Sequence, residues 1–534
     1  MSTSPSDTFE IKATDMGARL GILKTKTSEF ETPALLPVIH PVRQLLHCSE
    51  IRAMGYEAVM TNAYTTLRRL KERASEGIHR IIDYDGSIMT DSGGYQALEF
   101  GSVDTSPVEM ARFEEKIGSD IAIILDKPTG FDVTKKHAAE TVQLTLKAAQ
   151  ATKKVVSRDD VIWTLPVQGG RYIDLIEKSA KASARLDFGC YALGSPVEVM
   201  EEYEFSLLIE MIAACKRHVP ENRPFHLFGA GHPLILPLAI SLGCDMFDSA
   251  SYMLYAKQDR YISSGGTIRL EQLGYLGCSC KVCTSFRAGE LKRLPKEARI
   301  VALAKHNLFM LRQIIEETKQ AMWEGRLWEY VQANSRNHPK ALEAFRSAVA
   351  LKGEPLIDSG TPSFKDRGLF VSEPVDLRRP EMVRHRKRLK SLDLSSKETL
   401  IILPETKTKP CLRSKIYKEL AKIVHPEDLV AFACPNFGLV PAEISDIYPI
   451  SQTTSAYGEF PKCDAILHLK EWKSVKVLLR QNVEMEKWLE EELLTYFGTP
   501  QKKLPKFYRS KKMGTVLEIS RSYKTFKRRI TNQV

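Results

Sequence analysis

The sequence predicts a (β/α)8 TIM barrel followed by a smaller α/β appendage. Two observations predict the barrel: short apolar runs recur through residues 34–251, and most are followed by a segment of helical period. A third concerns the ends of the runs, which turn abruptly polar, as strands do when they deliver side chains to the mouth of a barrel.

The runs are Ala34–Ile39, Ala58–Ala63, Ser87–Asp91, Ile121–Asp126, Val161–Gln168, Phe188–Gly194, Phe225–Gly229 and Met246–Ser251. Ser106–Ile117, Lys135–Lys153 and Val197–Arg217 carry the helical pattern between them. Units of roughly 30 residues in this order describe the barrel. An open doubly wound sheet is disfavoured, because no Gly-rich phosphate loop follows the first run.

Run three ends in Asp91, run four in Asp126, run five in Gln168, run six in Gly194-Ser195, and run eight carries Asp248. Any one of these acids could merely cap the following helix; the whole set fits a catalytic face. Asp248 is read as a nucleophile and Asp91 as its acid/base partner. Two carboxylates converging on one pocket are the minimum equipment for cutting a glycosidic bond.

After the barrel, Cys278-Ser279-Cys280-Lys281-Val282-Cys283 precedes His306. Three thiolates and one imidazole complete a closed tetrahedral site, which suits one structural Zn2+. The alternative is a set of free buried cysteines. A long helical tract follows over Glu297–Gly325 and Trp328–Ala350, then a loop-rich Gly353–Pro374 and a basic Arg378–Lys390. Leu400–Leu403 and Leu429–Ala433 read as strands, with a helix over Lys415–Ile423. Ala465–Leu469 reads as a further strand and Ser474–Phe497 as an amphipathic helix. The resulting division is a barrel domain over 1–345 with the zinc region at 275–310, a basic linker over 346–395, a small α/β domain over 396–500 and a basic tail over 501–534. The basic segment suits a solvated linker or an RNA contact. The tail interleaves Lys and Arg with Phe507, Tyr508, Tyr523 and Phe526, which suits RNA backbone and exposed bases or a solubilising tail.

Across 534 residues, 43% hydrophobic and 27% charged side chains exclude a disordered chain. Lys+Arg of 77 against Asp+Glu of 66 gives a net charge of +11, a mild sign of a polyanionic partner. The N-terminus lacks a basic-then-apolar signal and no apolar stretch is long enough to span a bilayer. With ten mostly scattered cysteines, this points to a reducing, cytoplasmic setting.

The residues then carry a resemblance. Met89-Thr90-Asp91-Ser92-Gly93-Gly94-Tyr95-Gln96, Gly243-Cys244-Asp245-Met246-Phe247-Asp248 and the CxCxxC…His set are similar to those of tRNA-guanine transglycosylases, and Asp248-Ser249-Ala250-Ser251-Tyr252 resembles the archaeal type. The likeness covers roughly residues 10–345 strongly. It continues more weakly through Leu439-Val440-Pro441-Ala442-Glu443 and Ile447-Tyr448-Pro449. It implies a pentosyltransferase that exchanges guanine 15 in the tRNA D-arm for preQ0, on the route to archaeosine, through a covalent ribosyl-enzyme ester on Asp248. Asp91 would protonate the leaving purine and deprotonate the incoming one. Tyr95 would stack on the purine, Asp126 would read its N1–H and 2-amino group, Gln168 would meet the opposite edge, and the backbone around Gly194, Ser195 and Pro196 would donate to O6.

Two departures stand out. The family commonly has a second glycine where Ser195 stands, and a C-terminal PUA domain; the roughly 30 residues after the appendage are too few for one. The expectation is that a separate PUA-containing polypeptide supplies that grip on tRNA, and that the chain forms a homodimer near the zinc region. Three rival readings fit the sequence less well. A non-catalytic tRNA-binding partner subunit would have no need of both aspartates. An archaeosine synthase-like amidotransferase would resemble the family mainly beyond the barrel. A sugar-acting glycosidase would need an open carbohydrate cleft, which nothing indicates.

Overall fold

A computed structural model describes residues 8–94, 104–351, 360–462, 464–479, 485, 487–489, 491–492, 495 and 515–520. It divides into two units, 1–362 and 363–534.

The first unit opens with an antiparallel sheet that the sequence reading did not anticipate: β1 (Phe9–Asp15), β2 (Ala18–Lys24) and β3 (Glu29–Thr32). Next come β4 (Ala34–Ile39), β5 (Ala58–Asn62), β6 (Ser87–Asp91), β7 (Ile121–Ile123), β8 (Ile162–Val167), β9 (Cys190–Leu193), β10 (Phe225–Leu227) and β11 (Met246–Ser249). These are parallel neighbours in chain order, and β11 pairs back onto β4 to close the barrel. Each lies within one of the eight apolar runs.

The N-terminal sheet covers the end of the barrel where the strands begin. Phe9, Leu23 and Phe30 share one apolar cluster with Leu36, Ala58, Met89, Ile121 and Met246. Ser28 Oγ lies 2.6 Å from Ser87 Oγ, at the first residue of β6. Each buried large side chain there stabilises the fold by about 1.5–3 kcal/mol. The opposite, carboxyl end is thereby left for chemistry.

Local chemistry sets the helix starts. Ser106 and Glu109 form a capping box ahead of Pro107–Ile117, and Thr134 Oγ1 accepts from His137 N at the start of Lys135–Lys153. Val197–Arg217, predicted as one helix, is two, Val197–Glu201 and Phe205–Lys216, interrupted by Tyr203 at φ +57°. The ribbon β12 (Arg260–Ser263) and β13 (Gly266–Arg269) leads into the helix Lys296–Trp323, followed by Leu327–Ser335 and Pro339–Ala350.

In the second unit, β14 (Leu369–Val371) pairs with β18 (Thr453–Ser455). A separate sheet has the order β17 (Gly438–Pro441), β16 (Asp428–Cys434), β15 (Thr399–Pro404), β19 (Ser474–Leu479) and β20 (Thr515–Ser520). The basic Arg378–Lys390 stretch contains the helix Pro380–Lys390, whose Met382 and Leu389 enter this unit's apolar clusters.

Two segments depart from the predicted elements. Ala465–Leu469 is a helix, Ala465–His468, because Asp464 caps it by accepting from Leu467 N at 2.9 Å. Ser474–Phe497 begins as a strand, not a helix. Val475 and Val477 alternate into the core beside β15, and helix resumes only at the described positions from Met485 onward.

Candidate active site

The described barrel residues selected from the sequence lie at the carboxyl ends of five of the eight strands. Asp91 ends β6, Asp126 lies three residues past β7, Gln168 follows β8, Gly194 and Ser195 follow β9, and Asp248 is the third residue of β11. Tyr95 lies outside the described residues.

Asp91 is held by its neighbour in register, Asn62 at the end of β5. Asn62 Oδ1 accepts from Thr65 N at 2.7 Å as a helix cap, which leaves Nδ2 to donate to Asp91 Oδ2 at 2.7 Å. Gly93 N–H donates to Asp91 Oδ1 at 3.3 Å. Burial pushes the Asp91 carboxyl up to about 6; the Gly93 N–H opposes this and the charge of Asp248 reinforces it.

Asp126 and Gln168 form a second group. Gln168 is buried, and its Nε2 donates to Asp126 Oδ2 at 2.6 Å. Its Oε1 accepts from Ser195 Oγ at 2.9 Å, Thr129 Oγ1 at 3.0 Å and Thr129 N at 3.2 Å. Burial raises the Asp126 carboxyl to about 7, with the Gln168 bond opposing and the Asp91 charge adding to the rise. The loop after β9 is shaped around this group. A Cβ on Gly194 would stand 2.4 Å from Gln168 Nε2, so only glycine lets the backbone approach. Ser195 adopts φ +56°, the left-handed region that favours glycine. Its hydroxyl compensates by bonding Gln168 and accepting from Thr129 N at 2.9 Å.

Asp248 Oδ1 accepts from Gly229 N at 2.9 Å and lies 2.9 Å from His226 Nε2. The sequence reading missed His226, Asn62, Thr129 and Gly229, because it attended to the last polar residue of each run. A histidine inside the apolar Phe225-His226-Leu227-Phe228 was the available signal.

Away from the mouth, Cys278, Cys280, Cys283 and His306 place their ligand atoms within 4.8 Å of one another. His306 Nδ1 lies 3.5 Å from Cys280 Sγ and 3.4 Å from Cys283 Sγ. Bonds of about 2.3 Å to sulfur and 2.0–2.1 Å to nitrogen, in tetrahedral geometry, set an N···S edge of about 3.5 Å, so a metal ion fits. His306 Nε2 donates to Ile262 O at 2.8 Å, which fixes the tautomer and aims the Nδ1 lone pair at the thiolates. Tyr261 stacks on the imidazole at 3.6 Å.

A family model described as queuine tRNA-ribosyltransferase matches residues 14–340. The chain belongs to this family. Among similar proteins, the tRNA-guanine(15) transglycosylase of Sulfolobus acidocaldarius is 38% identical over 450 residues, 83% of this chain and 88% of that protein. That of Pyrobaculum aerophilum is 39% identical over 483 residues, 89% and 96% of the two chains. That of Aeropyrum pernix is 46% identical over 333 residues, 62% of this chain and 65% of that protein. The matched span of the ribosyltransferase family contains the whole strand-end set and the cysteine–histidine cluster.

Proposed function

We propose that this ribosyltransferase-family member exchanges guanine, at position 15 of tRNA, for preQ0 through a covalent ribosyl-enzyme intermediate, as a cytoplasmic enzyme of archaeosine biosynthesis. The observation that carries the mechanism is the pair Asp91 and Asp248, both at carboxyl ends of strands in one closed barrel.

In this reading Asp248 attacks the ribose C1′ as a carboxylate. A C–O bond forms to the enzyme, the C1′–N9 bond breaks, and its electron pair leaves with the purine. Asp91, whose environment favours the neutral acid, supplies the proton that makes the leaving guanine neutral. The incoming base gives its N9 proton back to Asp91 while its nitrogen attacks C1′ and expels Asp248. Two displacements on one centre retain configuration.

Asp126 supplies the acceptor for the N1–H and 2-amino edge of the base, and Gln168 faces the other edge. Oε1 of Gln168 already has three donors, so the second hydrogen on Nε2, unbonded among the described residues, is what it offers. The backbone at Gly194 and Ser195 donates to O6, and Tyr95 stacks on the ring. Cys278, Cys280, Cys283 and His306 hold zinc, which ties the segment after β13 to the helix Lys296–Trp323. The chain acts as a homodimer.

Mass-spectrometric mapping of tRNA incubated with the protein and preQ0 tests this. Substitution at position 15 is expected. Unmodified tRNA, or modification at another nucleotide, overturns the assignment.

A further inference from the structure

His226 sits in the middle of β10 with no solvent exposure, opposite Ala192 on β9 and Met246 on β11. A fully buried imidazole between apolar neighbours needs a reason. Among the described residues its side chain has one hydrogen-bonded partner, Asp248: Nε2 lies 2.9 Å from Oδ1. An ionised carboxylate only accepts, so Nε2 must carry the hydrogen. Nδ1 has no partner among the described residues, and the edge-on Phe228 ring lies 4.9 Å from the imidazole. The imidazole therefore meets its surroundings through Nε2–H alone among the described residues. Buried and without a partner on its far nitrogen, the ring has no route for shuttling protons.

The consequence falls on Asp248. Its Oδ1 receives two donors, His226 Nε2–H and Gly229 N–H. Among the described residues no donor bonds Oδ2. We propose that His226 is a positioning residue that pins Oδ1 and leaves Oδ2 as the single oxygen that attacks C1′. Without it the carboxylate keeps one tether, Gly229 N–H, and rotates between orientations of which only one is aligned for attack. This rests on the reading of Asp248 as the nucleophile.

The test compares guanine exchange into tRNA by the full chain and its His226→Gln, His226→Asn and His226→Phe variants, with Asp248→Asn as control. Glutamine carries its amide nitrogen to where Nε2 stood; asparagine reaches only the Nδ1 position, at similar polarity. Losing a hydrogen bond to a charged group predicts that kcat falls about 10- to 100-fold in His226→Asn and His226→Phe. KM for tRNA and for guanine should stay within about twofold, with slower formation of the denaturation-resistant enzyme–RNA adduct. His226→Gln should recover most of the rate. Melting temperatures are followed throughout, and if His226→Phe fails to fold, the Gln/Asn comparison decides. Wild-type kcat in His226→Asn, or equal impairment of the Gln and Asn variants at wild-type melting temperature, overturns the positioning role while leaving the nucleophile reading intact. Exchange and adduct formation by Asp248→Asn would overturn the nucleophile reading itself, and the proposal with it.

Discussion

Gln168 Nε2 donates to Asp126 Oδ2 across the mouth of the barrel at 2.6 Å, and the bond joins a carboxyl raised to about 7 to an amide whose oxygen is already spoken for. A base that offers N1–H and an amino group needs the ionised form of Asp126. Below about pH 7 that form is depleted, so the KM for guanine is expected to rise about tenfold per pH unit as pH falls. Steady-state kinetics with varied guanine at several pH values check this, and a flat KM would show that Asp126 does not read that edge.

Asp91 has the opposite dependence. Its acid form, populated below about pH 6, is the one that protonates the leaving purine. The kcat/KM for tRNA should therefore decline above about pH 6, and Asp91→Asn should abolish exchange. A profile that rises through this range would assign the acid elsewhere.

The same two shifts predict a cost to stability. Both carboxyls ionise at lower pH in the unfolded chain than in the folded one. Folding thus loses free energy as pH rises from about 4 to about 7. A double Asp91→Asn, Asp126→Asn variant should melt higher than the parent at pH 8 and no higher at pH 4. Equal differences at the two pH values in thermal melts would contradict it.

Gly194→Ala places a Cβ against the Gln168 amide. It should raise the KM for guanine by tenfold or more while tRNA binding is retained, a split that competition kinetics resolves. Wild-type guanine affinity would mean that the loop is not built around Gln168.

Arg19 on β2 and Asp245, directly before β11, form a buried ion pair, with Nε to Oδ1 at 3.0 Å, while Asp245 Oδ2 also accepts from Phe225 N at 2.7 Å. Arg19→Ala leaves a buried charge and should destabilise the protein by about 3–5 kcal/mol, measured by denaturant unfolding.

The barrel was legible because eight apolar runs at regular spacing leave little else for the chain to form, and Asp91, Asp126, Gln168 and Asp248 because each is polar where an apolar run stops. The cysteine triplet was legible by spacing alone. Local pattern misled at Ala465–Leu469 and Ser474–Phe497, where a capping aspartate and a strand pairing with β15 overrode period. Tertiary structure alone decided which groups orient the acids. His226 reaches Asp248, Asn62 reaches Asp91, and Thr129 reaches Gln168, because β10 neighbours β11, β5 neighbours β6, and the loop after β7 meets the end of β8. A sequence fixes which residues follow one another along a strand; which one a carboxylate meets across strands depends on register and closure, and these exist only once the barrel is formed.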